Sequence, residues 1–121
     1  MFDKTKSIRS FIGAKDFRVS RKFYKELGFI EYPIDEKMVW FKVHEGLSFY
    51  LQNYYVKDWI DNSMVFLEVE DLDSFEQNLL TKDLPSKYEG VKITKINDYP
   101  WGREIFMHDP SGVLWHFGEF K

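Results

Sequence analysis

The sequence predicts an α+β fold made of two related halves, each a strand, a helix and three further strands. Three observations predict it. The same order of patterns occurs twice; each helix opens on an aspartate, Asp16 and Asp71, 55 positions apart; and Gly46 and Gly112, 66 apart, precede the last strand of each half. The second half therefore carries eleven more residues between helix and last strand, most of them expected in 81–101. Half of such a chain cannot bury a sheet face by itself, so the repeats, 6–53 and 62–119, are expected within one domain spanning 1–121.

The elements follow in order. Residues 8–14 form a short, mostly apolar run that reads as a strand. Asp16 then caps a helix on which Phe17, Phe23, Tyr24 and Leu27 recur at helical spacing until Gly28 stops it. Residues 29–33, 38–43 and 47–52 are strands of a meander, separated by Ile34-Asp35-Glu36-Lys37 and His44-Glu45-Gly46 turns. Residues 53–62 connect the halves and are expected to be partly helical. Strand 63–69 follows, then a helix from Asp71 through Leu80 with Leu72, Phe75, Leu79 and Leu80 on one side. After a break at Leu84-Pro85-Ser86 come strands 91–96, 103–108 and 113–117, the last two joined by Asp109-Pro110-Ser111-Gly112.

Composition narrows the function. The 121 residues carry 17 basic and 20 acidic side chains with no long run of either sign, which disfavours nucleic acid as a partner. Cysteine is absent, which removes disulfides, thiol catalysis and zinc-thiolate sites. No apolar run has the length of a membrane span or the form of a signal peptide, so a cytoplasmic location is expected. Aromatic residues are in excess, with 12 Phe, 7 Tyr and 4 Trp. Most belong to the core; some are expected to face a ligand.

The Lys15-Asp16 strand end, the Arg21-Lys22-Phe23-Tyr24 helix leading to Leu27-Gly28-Phe29, and the Asp109-Pro110-Ser111-Gly112 hairpin together resemble the vicinal oxygen chelate superfamily of glyoxalases, fosfomycin-resistance proteins and extradiol dioxygenases. The resemblance runs from Ile8 to Phe117. It implies two βαβββ modules forming a curved eight-stranded mixed sheet. The stretch Pro100-Trp101-Gly102-Arg103-Glu104 running into His108-Asp109 resembles bleomycin-resistance proteins most. That resemblance implies metal-free drug binding by a homodimer, with grooves at the subunit interface.

In catalytic members of the superfamily a divalent metal is held at four inward strand positions, usually His, Glu or Gln. Carried onto this chain, seven residues before each cap aspartate, those positions are Arg9 and Met64; on the last strands they are Tyr50 and His116. Only His116 is a good ligand for a hard divalent ion, and a guanidinium repels one. A register slip of one residue brings in nothing better, and Gln52 is the only substitute with ligand character. No metal and no other cofactor is therefore expected. No Ser-His-acid grouping stands out either, so no catalytic residue is assigned.

Period-two alternation then sets the faces. One face carries Arg9, Phe11, Ser48, Tyr50, Gln52, Met64, Phe66, Glu68, Leu114 and His116, and the other carries Ile8, Ile12, Leu47, Phe49, Leu51, Val65, Leu67, Val69, Val113, Trp115 and Phe117. Arg9 either pairs with Glu68 or holds an anionic group of a ligand. Trp101 is expected on a loop at the groove mouth, with Trp40 as a second stacking surface. Glu104 and Asp98 either supply negative charge there or are solvated surface groups. His44 is expected exposed in a turn, and His108 paired with Asp109.

The ligand-binding set is thus Arg9, Phe11, Trp40, Tyr50, Gln52, Met64, Phe66, Glu68, Trp101, Glu104 and His116. The reading is a binding protein for a small aromatic or amphipathic molecule, with bleomycin one candidate. Its rivals are a metal-dependent glyoxalase-like lyase, isomerase or dioxygenase using His116 and Gln52, and a pure interaction module.

Overall fold

The structure, a computed structural model, describes all residues 1–121. The first sheet has the order β1-β4-β3-β2, from β1 (Ser10–Gly13), β2 (Ile30–Asp35), β3 (Met38–His44) and β4 (Leu47–Gln52), with β1 parallel to β4. The helix α1 (Phe17–Leu27) connects β1 to β2, and α2 (Lys57–Asp61) follows β4. The second sheet has the order β5-β9-β8-β6, from β5 (Met64–Glu68), β6 (Lys92–Ile93), β8 (Gly102–His108) and β9 (Leu114–Phe120), with β7 (Asn97–Tyr99) also on β8. Between β5 and β6 lie α3 (Leu72–Thr81) and the single turn α4 (Leu84–Lys87).

Both long helices start for the expected reason. The Val19 N–H donates to Asp16 Oδ1 at 3.2 Å, and the Ser74 N–H donates to Asp71 Oδ1 at 3.1 Å. Each bond satisfies an amide that the first helical turn leaves without a partner. Gly28 ends α1 at φ 118°, and the Phe29 N–H turns back to the Tyr24 carbonyl. No glycine ends α3; Lys82 stays helical and the chain passes into α4, where a plain break was expected.

The dry faces of the two sheets meet each other. Phe49 of β4 and Trp115 of β9 lie 5.4 Å apart ring to ring, and Tyr24 of α1 touches both. Twenty buried apolar residues form one cluster drawn from both sheets and their helices. Fully buried Phe23, Phe41 and Phe117 each contribute roughly 1.5–3 kcal/mol by leaving water. Since the dry faces share this core, the opposite faces of the two sheets look outward, away from one another.

The α+β architecture is as expected, with differences in detail. There are nine strands in two sheets, not eight in one: where one strand was expected at 91–96 two short ones form, β6 and β7, and each half of the chain makes a sheet of its own. Between Ile93↔Met107 and Asn97↔Glu104 the edge advances four residues against three on β8. This is a bulge, and Thr94 fills it: its N–H donates to the Phe106 carbonyl and its hydroxyl accepts the Phe106 N–H, both at 3.0 Å. Ile8 and Leu47, assigned to the dry face, are 93% and 49% exposed. Ile8 precedes the paired part of β1, and Leu47 opens β4 beside the Gly46 turn, beyond the packed core.

One ion pair fastens α1 to its sheet. Arg21 donates through Nε and Nη2 to both oxygens of Glu31 on β2, each at 2.9 Å. The Arg21 hydrogen bond holds the Glu31 carboxyl below its usual range, against a smaller opposing effect of burial. A depressed carboxyl contributes stability that is present above its unfolded pKa and lost as pH falls through the folded one. Glu31→Gln is therefore expected to lower stability by about 0.5–1 kcal/mol at pH 7. The deficit should shrink as pH falls below 4.5, the ordinary glutamate value, in urea titrations across that range.

Candidate functional site

On the outward face of the first sheet one row runs straight across all four strands: Phe11, Tyr50, Trp40 and Tyr32. Phe11 stacks on Tyr50 at 4.9 Å, and Tyr32 leans on Trp40 at 4.9 Å. Arg9, just ahead of β1, lays its guanidinium over the row, 4.3 Å from the Trp40 ring centre and 5.5 Å from that of Tyr50. Its Nη1 donates to Tyr50 Oη at 2.8 Å. Gln52 flanks the row on the other side, opposite Met38 and Gly13. The result is an aromatic plate with a cation at one edge and an amide at the other.

The outward face of the second sheet is built around a histidine. His116 on β9 is hydrogen-bonded through Nδ1 to the carboxyl group of Glu104 on the neighbouring β8. That bond fixes the ring and turns Nε2 toward Met64 Sδ, 3.4 Å away. Phe66 and Phe106 flank the imidazole. Phe66 also covers Gly118, where any side chain would overlap its ring. Trp101, in the turn between β7 and β8, stacks parallel on Tyr99 at 5.6 Å and meets Phe120 at 5.0 Å.

The eleven expected residues thus fall into two groups. Arg9, Phe11, Trp40, Tyr50 and Gln52 share the first outward face; Met64, Phe66, Glu68, Trp101, Glu104 and His116 belong to the second sheet and its rim. No point in the chain gathers both. Three readings are corrected. Arg9 does not pair with Glu68, because they stand on opposite sides of the shared core. Glu104 is not a solvated surface group but is 6% exposed beneath His116. Asp109 does not pair with His108; its carboxylate accepts from Tyr24 Oη and from the N–H groups of Ser111, Gly112 and Val113. His44 and Asp98 are exposed, as expected.

Tyr32, Phe106 and Phe120 complete the faces and were missed. Tyr32 was legible in principle, as it lies two residues from Ile30 and Ile34 on an edge strand, but only pairing with β3 places it beside Trp40. A divalent metal does not fit the four inherited positions. Arg9 brings a cation, Met64 a thioether, and the two pairs lie on different sheets. No group of three or more His, Cys, Asp or Glu side chains gathers anywhere in the chain.

The fold is that of the bleomycin-binding and glyoxalase/bleomycin-resistance proteins. The bleomycin-binding protein of Streptomyces verticillus, solved with copper(II)-bleomycin, superposes with a TM-score of 0.80 over 98% of each chain at 21% identity. A glyoxalase/bleomycin resistance protein from Catenulispora acidiphila gives 0.74 over 97% of this chain and 100% of that one, at 23% identity. A lactoylglutathione lyase from Agrobacterium tumefaciens gives 0.70 over 97% and 96%, at 14% identity. No family model matches the sequence, and no curated protein matches it. No helix is long and apolar enough to cross a membrane.

Proposed function

We propose that this protein binds and sequesters a small aromatic or amphipathic compound without metal, in grooves that each take one wall from each of two copies. The observation that carries the reading is the pair of outward faces, each an aromatic surface with a few fixed polar anchors, the composition of a ligand site. Met64 is 65% exposed and Phe66 45% exposed, with Phe11, Tyr32 and Phe120 similarly open. Apolar surface of that extent calls for a partner. A homodimer that sets the first sheet of one copy against the second of another supplies the missing wall and covers both faces. The likeness to bleomycin-binding proteins supports a bleomycin-type drug as a candidate ligand, and the chain is read as cytoplasmic, with drug resistance its cellular consequence.

A metal-dependent lyase is the second reading, favoured by the carboxylate-held His116, an arrangement that orients metal ligands elsewhere. The remaining donors argue against it. Titration with metal-free and copper-loaded bleomycin, followed by tryptophan fluorescence on a sample first assayed for metals, separates the two. Saturable quenching at two sites per dimer without stoichiometric metal is expected, weakened about tenfold, roughly 1.4 kcal/mol, by Trp101→Ala. Stoichiometric metal with no quenching would instead favour the lyase.

A further inference from the structure

We infer that the recess beside Arg9 is an oxyanion site, which takes the carboxylate or phosphate of an aromatic ligand whose ring lies on the Phe11–Tyr50–Trp40–Tyr32 row. The inference rests on the binding reading above and, within it, favours an anionic aromatic ligand over a cationic bleomycin-type drug.

The recess has a volume of about 170 Å³, the scale of an oxyanion head group with the adjoining edge of a ring. Two residues that line it each carry a buried donor without an acceptor, Arg9 at Nε and Trp40 at its indole Nε1. Buried donors are nearly always satisfied, so two orphans on a pair of stacked residues at the edge of one recess call for an acceptor that the chain itself does not supply. Arg9 meets no carboxylate anywhere in the chain; its one hydrogen bond goes to the Tyr50 hydroxyl. Arg21 and Arg103, by contrast, each meet carboxylates: Arg21 meets Glu31, and Arg103 meets Asp73 and Glu119.

The surroundings agree in sign. Lys6, Arg9 and Lys42 line the recess against a single acid, Glu45, which Lys42 already binds at 2.7 Å. Positive charge thus outweighs negative here, in a chain whose net charge is -3. A cationic ligand is disfavoured twice: Arg9 already covers the Trp40 face that would attract it, and Lys6 adds repulsion. An oxyanion offers acceptors only, and the planar guanidinium fork matches carboxylate and phosphate oxygens.

Calorimetric titration with four probes sharing one ring tests this: 2-naphthoate, 2-naphthyl phosphate, neutral 2-naphthylmethanol and cationic 2-naphthylmethylammonium. The two anions are expected to bind at least tenfold tighter than the alcohol, with the cation weakest; their order tells whether carboxylate or phosphate is preferred. Arg9→Met should collapse the naphthoate-to-alcohol ratio to near one, Arg9→Lys should keep part of it, and Trp40→Phe, which retains a ring but loses the N–H, should reduce it several-fold. Equal binding of anion, alcohol and cation would overturn the inference while leaving the binding reading intact. Failure of all four probes at millimolar concentration would overturn both. Loss of self-association in Arg9→Met by sedimentation, without any charge preference among the probes, would assign the missing acceptor to a carboxylate of a second copy and also overturn it.

Discussion

Alanine at position 102 is expected to lower the unfolding free energy by about 3 kcal/mol, the upper end of what overpacking costs. Gly102 opens β8 opposite Phe120 of β9. A methyl group there would overlap the Glu119 carbonyl oxygen and lie 3.0 Å from Phe120 Cα. These are backbone atoms, so no rotamer change relieves the contact, and the ladder must part at this end. Parting it loosens the Lys121 N–H to Trp101 carbonyl bond and the Trp101–Phe120 contact with it. A domain of this size has about 5–15 kcal/mol in total, so the loss is a large share. Urea unfolding measures it, and a deficit under about 1 kcal/mol would show that the strand end yields freely.

Tyr24→Phe is expected to cost about 2–4 kcal/mol although it removes one oxygen atom, because that oxygen serves two buried partners. Tyr24 Oη donates to Asp109 Oδ2 at 2.5 Å and accepts from Trp115 Nε1 at 2.9 Å. Without it the indole N–H is orphaned and the buried carboxylate keeps only its three backbone donors. The loss also depends on pH. Burial pushes the Asp109 carboxyl above its ordinary value of 3.8, and the Tyr24 hydrogen bond is the largest effect opposing it. A raised carboxyl contributes stability that is full below the unfolded pKa and lost as pH rises through the folded one. Removing the opposing bond raises the folded value further, so the Tyr24→Phe deficit should be larger at pH 8 than at pH 4. A pH-independent deficit would mean that Asp109 keeps its charge without help. The Glu31→Gln deficit also grows with pH, for a different reason: that substitution removes a depressed carboxyl whose contribution is present only above its unfolded pKa.

Much of this was legible in the sequence because local rules carry it. Asp16, Gly28 and Asp71 act through bonds within four residues, so the positions of α1 and α3 follow from spacing alone. Alternation likewise separated Phe49, Leu51, Trp115 and Phe117 from Tyr50 and His116, since one buried face fixes register. What stayed hidden depends on partners far along the chain. The Thr94 bulge requires knowing that 91–99 lies on β8. The destination of Asp109 requires Tyr24, 85 residues away. Glu104 was read either as negative charge near Trp101 or as a solvated group; only the cross-strand placement of His116 explains why it is buried. The separation of Arg9 from Glu68 follows from which faces meet, a property of packing between sheets that no single strand encodes.

The outward orientation of the two faces ties recognition to mass action. If a ligand is held between the first face of one copy and the second face of another, an isolated chain offers only half a site. Binding and self-association are then one linked equilibrium, in which each stabilises the other. Apparent affinity should rise with protein concentration until the chains are paired, and ligand should tighten pairing by the same factor that pairing tightens ligand binding. A cell could therefore set the sensitivity of the system through expression level alone, without altering any residue that touches the ligand.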